Sequence, residues 1–540
     1  MTKFTDNFLK QYQNTPPQVI SIAMAAGIAL YGMYLFDTYL AKPTGSKYNE
    51  DGITSQKPPQ EVPLVPGGLP YFGHIFQLPS EIPAFKFDEW HRKYGPLIRI
   101  NMGIKSWIII GDSDIANDIL RVKGAITSDR PFHLFTSQYV SLGKRGMVFA
   151  DADKRWKQSR AIAQSLFGPK GVSRKVHTFK QEAEWVSEML LKDTLENGHV
   201  NILKSLQVGT LNLIMQTFFA KRAESLDDPL AITMIDLTGT SIKLSAPDQD
   251  MPTFLPAFSA LFGPWFKSNE KEMREFVHEK RDPVYWRLIR EALESDEDCF
   301  VKILYELKDE NELEDDDILL FVVDIIEAGT DTTAMTLSWA FVILSHYKDV
   351  QKRLHTEIDK FIAEHGRLPE YEERENFPLL ISVQKECMRY RTTVPSGIPH
   401  EVTEDFEYQG YLIHKGAVLL SNTYTLNLSE ALYDKPREFV PERYMLDQRT
   451  LAASVSSSAS RGRDQFMFGW GRRTCPGVHM ADVEMFYFWV RILATSIIEP
   501  TLDHQGQPRY PDLDSYLDGG ITSAPGDPYI QIVERPDRLI

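Results

Sequence analysis

The sequence predicts a mainly α fold with a minor β-sheet region, and three observations carry that prediction. From Asp112 to about Glu386 the apolar residues recur at helical rather than alternating spacing, with Gly/Pro breaks near residues 252–264. Short strand-like runs flank that stretch, residues 97–100 and 107–110 before it and residues 410–413 and 418–420 after Pro395. No internal repeat and no Gly/Ser linker interrupts residues 71–540, so one large domain is expected despite the length of 540 residues.

Composition narrows the class. At 43% hydrophobic and 25% charged, the chain has an ordinary globular balance and ample material for a core. Its three cysteines, Cys299, Cys387 and Cys475, are odd in number and far apart, which excludes a disulfide framework or a zinc ribbon and fits a reducing compartment. A net charge of −16 argues against nucleic acid, which requires a clustered basic face. Two acidic runs, residues 294–298 and 309–317, read as solvated helix ends or loops.

In chain order, residues 1–18 form an N-terminal segment, and residues 19–40 read as a single transmembrane anchor. No charge interrupts Val19 through Phe36, and only Asp37 interrupts the run to Leu40. A cleaved signal has an apolar centre of roughly 7–15 residues, whereas spanning a bilayer takes about 20. Tyr31, Tyr34 and Tyr39 suit an interface. Lys3 and Lys10 before the run nearly balance Lys42 and Lys47 after it, so charge leaves the orientation open. Residues 41–70, with Pro58, Pro59, Pro63, Pro66, Gly67, Gly68 and Pro70, read as a stiff extended linker. The catalytic domain follows as residues 71–540.

Within that domain the two runs at 97–100 and 107–110 suggest a hairpin, and Asp112 an N-cap for a short helix to Arg121. Residues 319–344 form a long apolar helix that Ala328-Gly329-Thr330-Asp331-Thr332-Thr333 should interrupt. Gly costs about 1 kcal/mol in a helix interior, and Thr and Asp compete for backbone hydrogen bonds. A local rule broken inside a long helix points to function. Glu386 and Arg389 share one helical face at i and i+3, and Pro441-Glu442-Arg443-Tyr444 follows; a Ser-rich stretch, residues 451–463, reads as a solvent loop.

Phe468-Gly-Trp-Gly471-Arg472-Arg473-Thr474-Cys475-Pro476-Gly477 then places one cysteine in a Gly-rich loop that opens an apolar helix from about Gly477 to Leu493. Backbone N–H groups and the positive helix end favour a thiolate, the form in which cysteine ligates metal. Gly471 and Gly477 let the backbone approach something flat, Phe468 offers a ring and Arg473 a fork for a carboxylate; the natural object is haem.

This stretch matches the Phe-x-x-Gly-x-Arg-x-Cys-x-Gly signature of the cytochrome P450 superfamily, and the chain resembles its microsomal, reductase-dependent, fungal-like members. The resemblance implies the P450 fold behind the anchor, and haem b with iron ligated by Cys475. It implies that Ala328 and Gly329 leave room for dioxygen, and that Asp331 and Thr332 relay protons as catalytic residues. Trp156, Arg160, His400, Phe468, Arg473 and Gly477 become cofactor contacts, and Glu386, Arg389 and Arg443 a buried network bracing the cysteine loop. Pocket walls fall at Phe132, Phe135, Phe321, Ile325, Val394, Ile398, Ile521 and Thr522. The function implied is a monooxygenase that activates O2 with electrons from NADPH, through NADPH-cytochrome P450 reductase with cytochrome b5 as an optional second donor, and oxidises a lipophilic small molecule. The location implied is the endoplasmic reticulum membrane, single-pass, with the catalytic domain facing the cytosol. Lys154, Arg155, Lys157 and Arg472 supply a candidate basic docking patch against the acidic whole. A haem-thiolate isomerase or dehydratase, and a non-catalytic haem ligand carrier or sensor, are the competing readings; the intact Asp331–Thr332 pair counts against the first.

Overall fold

Ten helices carry the body of the protein in the computed structural model, which describes residues 59–246, 249–261 and 263–540. They are α1 (Ala84–Tyr94), α2 (Lys154–Phe167), α3 (Val176–Asn197), α4 (Ile202–Phe219), α5 (Pro229–Leu244), α6 (Asp282–Glu294), α7 (Asp315–His346), α8 (Lys348–His365), α9 (Pro378–Tyr390) and α10 (Val478–Thr495), with shorter helical turns between them. The region around residues 252–264 is broken as expected, into Met251–Phe254, Pro256–Leu261 and Gly263–Glu275. The anchor expected at residues 19–40, and the segments on either side of it up to residue 58, lie outside the described residues. Among the described residues no helix is long and apolar enough to cross a membrane.

The minor sheet is where the alternating runs predict it. Strands β1 (Leu97–Met102) and β2 (Lys105–Ile110) pair antiparallel, with Leu97 opposite Ile110. β4 (Val418–Ser421) adds parallel to β2, and β3 (His400–Glu401) closes the sheet in the order β1-β2-β4-β3. Two-sided burial explains the continuous apolar runs: every residue of β4 is buried. A second antiparallel sheet joins β5 (Ser496–Leu502), β6 (Tyr529–Glu534) and two short strands. Asp112 caps the following helix as predicted, accepting the backbone N–H groups of Asp114 and Ile115.

Helix α7 is the spine. Its 32 residues span about 48 Å, and most are buried against α4, α9 and α10. The expected interruption at residues 328–333 does not occur. Thr332 and Thr336 donate their hydroxyls to the carbonyls one turn back, Ala328 O at 2.6 Å and Thr332 O at 2.8 Å, sharing acceptors rather than displacing backbone bonds. Gly329 is filled by a neighbour: a Cβ there would lie 2.5 Å from Ile214 Cδ1, so glycine lets α4 press against α7.

Three further expectations are corrected. The linker ends early, because Gln60 and Glu61 pair with Tyr411 and Leu412, Arg99 donates its N–H to Pro63 O, and Val62 and Val65 are buried. The Ser-rich stretch is docked rather than solvated: Leu451, Ser454, Val455 and Ser460 are buried, Ser454 bonds Asp464, and Leu451 N–H donates to Asp482 at 3.0 Å. The second acidic run is partly consumed, since Asp317 is buried, completes a capping box with Glu314, and pairs with Arg145 and Arg155.

Candidate active site

The cysteine loop owes its shape to two glycines and an indole. Gly469 and Gly471 hold φ of 76° and 54°, and a Cβ on Gly471 would lie 2.6 Å from Leu120 O. Gly471 therefore makes room for the chain at Leu120–Arg121 and not for a cofactor, which corrects its expected role. Trp470 donates Nε1 to Ser421 on β4 at 3.1 Å, stacks on Phe466, and is covered by the Arg463 guanidinium at 4.2 Å. The Cys475 N–H donates to Phe468 O at 2.8 Å, and Gly477 is the N-terminal residue flanking α10. Cys475 is half-buried and lines a cavity of about 320 Å³. Burial pushes its thiol up, opposed by the Gly477 N–H and the charge of Arg160, so a bound cation is what would hold it as thiolate.

Beside the cysteine the cavity wall is strongly basic. Arg473 donates to Ser128 O at 2.7 Å and Met147 O at 3.2 Å, and lies 4.3 Å above the Trp156 ring. Arg160, 5.5 Å from the same ring, donates to Thr474 O. Trp156 itself donates Nε1 to Met147 O at 3.2 Å. Arg130 joins them through Val148 O at 2.8 Å and Pro399 O at 2.5 Å. His400 meets Thr127 O at 2.8 Å; a carbonyl only accepts, so Nδ1 carries the proton. Burial, then the charge of Arg130, drives His400 well below the usual histidine range and leaves it neutral. Burial likewise lowers all three arginines, Arg473 to about 10. Every side-chain hydrogen bond these guanidiniums make is to a backbone carbonyl, and among the described residues none of the three forms an ion pair with a carboxylate. Buried Arg130 and Arg473 and half-buried Arg160, none of them salt-bridged, form a receptor for carboxylates.

The opposite wall is α7. Asp324, Ile325, Glu327, Ala328, Gly329, Asp331, Thr332 and Thr333 all face the cavity. Asp331 is buried and accepts from Gln207 Nε2 at 2.9 Å, and its carboxyl is raised by burial. Asp324 accepts the N–H groups of Met147 and Val148. Glu484 on α10 is pushed up to about 8 by burial, against a hydrogen bond with Thr333. Val394, Ile398, Ile521 and Thr522 also line the cavity.

The other three predicted wall residues are corrected. Phe132 is 45% exposed, and Phe135 is sealed in the helical core beside Tyr139. Phe321 shares a stripe of α7 with Ile325 but packs on Phe218, beyond the cavity. Sequence reasoning missed Arg130, which sits before Pro131 where no periodicity marks it. It also missed Asp324, Glu327 and Glu484, which were visible as carboxylates inside apolar helices.

Behind the loop, Glu386 accepts Arg389 Nε and Nη2, Arg443 Nε at 2.9 Å and the Val440 N–H at 2.9 Å. Its link to the cysteine loop runs through the preceding residue. Lys385 pairs with Asp464 at 2.6 Å, and its carbonyl accepts Gln465 Nε2 at 3.0 Å. On the outside, Lys154 pairs with Glu312 at 2.6 Å and Arg155 with Asp317 at 3.4 Å, while Lys157 and Arg472 are exposed and form no ion pair among the described residues. The expected basic patch therefore shrinks to those two.

The sequence profile of the family "Cytochrome P450" matches residues 63–513. Cytochrome P450 monooxygenase 69 of Postia placenta is 28% identical over 514 residues, covering 86% of this chain and 88% of the relative. Cytochrome P450 monooxygenase FrzL of a Cladobotryum species is 28% identical over 439 residues, with 80% of each covered. A zebra fish cytochrome P450 structure with progesterone superposes with a TM-score of 0.69 at 23% identity, covering 84% of this chain and 99% of that one.

Proposed function

Because the chain belongs to the cytochrome P450 family of haem-containing monooxygenases, we propose that it oxidises a lipophilic small molecule with electrons from NADPH delivered by a flavoprotein reductase. The observation that carries this reading is one cavity lined by Cys475, by an unpaired arginine cluster and by Thr332. The residues fit haem. Cys475 would offer the iron ligand, Arg130, Arg160 and Arg473 would receive two propionates, with Trp156 stacked against Arg473 and neutral His400 near Arg130, and Ile325, Val394, Ile398 and Ile521 would present apolar surface. Bound there, haem supplies the activation of dioxygen.

The chain's own residues do the rest. The apolar wall would exclude water and orient the substrate's C–H or C=C bond on the α7 side of the cavity, opposite Cys475. Thr332 holds a hydroxyl over the cavity, and Asp331, tied to Gln207, supplies the acid behind it. Glu386, Arg389 and Lys385 fix the backbone that presents Cys475. The zebra fish cytochrome P450 structure with progesterone shares this fold, and we take a ligand of that size as a guide to what the cavity admits. An apolar run at residues 19–40 supports anchoring in the endoplasmic reticulum membrane, with the body on the cytosolic side, where reductase and NADPH are available.

The test is reconstitution of the full chain in vesicles with haem, NADPH-cytochrome P450 reductase and a panel of lipophilic compounds. Substrate-dependent NADPH oxidation with oxygenated product is expected, with cytochrome b5 raising the rate. Product formation without reductase or peroxide would overturn the reading, and so would extraction of the chain from membranes by alkaline carbonate for its location.

A further inference from the structure

Behind the cavity wall, where α5, α6 and α7 meet, lies a cluster of buried polar side chains. Thr238 on α5, Arg281 just before α6, and Tyr285 on α6 are each 0% exposed. Thr238 Oγ1, Arg281 Nη1, Tyr285 OH and Glu327 Oε1 are all buried without a protein hydrogen-bond partner. The other atoms of the group are well satisfied. Ser241 Oγ donates to Glu327 Oε2 at 3.0 Å, Arg281 Nε to Asp282 at 2.8 Å, and Arg281 Nη2 to Val140 O at 3.0 Å. A buried polar atom left unpaired costs about 1–3 kcal/mol, so four converging at one helix junction point to ordered water that bridges them.

Glu327 belongs to both cavity and cluster. It lines the catalytic cavity next to Ala328 and Asp324, while its unpartnered oxygen is buried on the side of Arg281 and Tyr285. We propose that Glu327 is a proton relay through the cavity wall, linking a hydrated chamber between α5, α6 and α7 to the site of oxygen chemistry. The proposal rests on the monooxygenase class and on neither the electron donor nor the substrate. In the step, the Glu327 O–H bond breaks and its proton passes to water in the cavity. The carboxylate then recovers a proton from chamber water, resupplied from solvent, and no electron moves.

The surroundings suit the task. The charged and titratable groups around Glu327 are Arg281 and Asp282 at α6, Asp324 on its own helix, and Tyr285; α5 contributes only the hydroxyls of Thr238 and Ser241. Burial outweighs Arg281 and holds the carboxyl up at about 8, so at neutral pH it keeps a proton to give. Asp331 is a separate acid on the same helix, turned to Gln207 on α4.

Two variants of the haem-loaded full chain test this: Glu327→Gln, which keeps shape and hydrogen bonding but has no acid proton, and Tyr285→Phe, which removes a chamber hydroxyl that does not line the cavity. The infrared difference between parent and Glu327→Gln should contain a deuterium-sensitive protonated-carboxyl band at pH 7 that fades as pH rises past about 8. Driven by reductase, or by a photoreductant so that a wrong electron donor cannot mask the result, Glu327→Gln should divert oxygen to hydrogen peroxide. Product per electron should fall about 10-fold or more at unchanged substrate Kd, with a smaller fall in Tyr285→Phe. Absence of the carboxyl band in the parent would overturn the proposal, as would parent-level coupling in Glu327→Gln. If that variant does not load haem, parent-level coupling in Tyr285→Phe overturns it instead.

Discussion

Arg389 grips Glu386 from one turn away on α9, Nε to Oε2 at 2.7 Å and Nη2 to Oε1 at 2.8 Å, with neither side chain exposed to solvent. The pair is buried, and the remaining donors of Arg389 reach the carbonyls of Asn427, Pro436 and Glu438. Arg443 and the Val440 N–H would still meet Glu386 if Arg389 were lost, whereas removing Glu386 leaves the Arg389 charge without a carboxylate in the core, at a cost of about 3–5 kcal/mol. Glu386→Ala should therefore lower the unfolding free energy read from urea by that amount, shift the midpoint down, and lose haem in proportion. Normal haem content with an unshifted midpoint would show that the pair is dispensable.

Cys475 should be the sole protein ligand to iron. Cys475→Ala is expected to abolish the thiolate-type absorption of the reduced carbon monoxide complex. Cys299→Ala and Cys387→Ala should leave it intact, because both thiols are buried away from the cavity. A thiolate spectrum in the Cys475 variant would remove the assignment.

Thr332→Ala should still load haem and consume reductant. Its hydroxyl now bonds Ala328 O at 2.6 Å on the cavity side of α7, so its loss should divert oxygen to peroxide and lower product per NADPH by about 10-fold or more. Equal coupling in parent and variant would leave Thr332 with a structural role only.

Electron delivery should depend on Lys157 and Arg472 rather than on Lys154, whose charge Glu312 already meets. Charge reversal at Lys157 and Arg472 together should slow reductase-supported turnover at low salt, with the difference vanishing as ionic strength screens it beyond about 8–10 Å. Lys154→Glu should do less. Peroxide-driven oxidation, which bypasses docking, should be unchanged in all three.

Asp324 sets a pH dependence of stability. Burial raises its carboxyl from the ordinary 3.8 to about 6, so the native state holds that proton more tightly than the unfolded chain does. Stability should then decline as pH rises between those values, by at most about 3 kcal/mol, and be steady above them as far as this group is concerned. Asp324→Asn should flatten the decline in urea unfolding across that window; an unchanged slope would show that the carboxylate is better solvated than its surroundings indicate.

How much of this was legible in the sequence depended on whether a residue's role is local. The strand pair at residues 97–110, the Asp112 cap and the helix after Cys475 follow from short-range pattern, and each lies where that pattern places it. Roles set by a distant neighbour were hidden. Gly471 is small because of Leu120, Gly329 because of Ile214, and Ser454 and Ser460 are inside because Asp464 and Asp114 receive them. Phe135 and Phe321 show the same limit from the other side, since an aromatic ring on the right helix still needs the right turn to reach a cavity.

The early docking of residues 60–65 decides where the molecule can be cut. Val62 and Val65 are each 1% exposed, and burying such side chains is worth roughly 1.5–3 kcal/mol apiece. Gln60 and Glu61 also give the edge of Tyr411–Ile413 its only strand neighbour on that side. A shortened chain that begins a few residues before Gln60 keeps this seam closed, whereas one that begins at Tyr71 opens it and bares a strand edge to other molecules. The proline-rich stretch, which looks expendable in the primary structure, is thus the hem of the folded body, and solubility on truncation will turn on about ten residues of it.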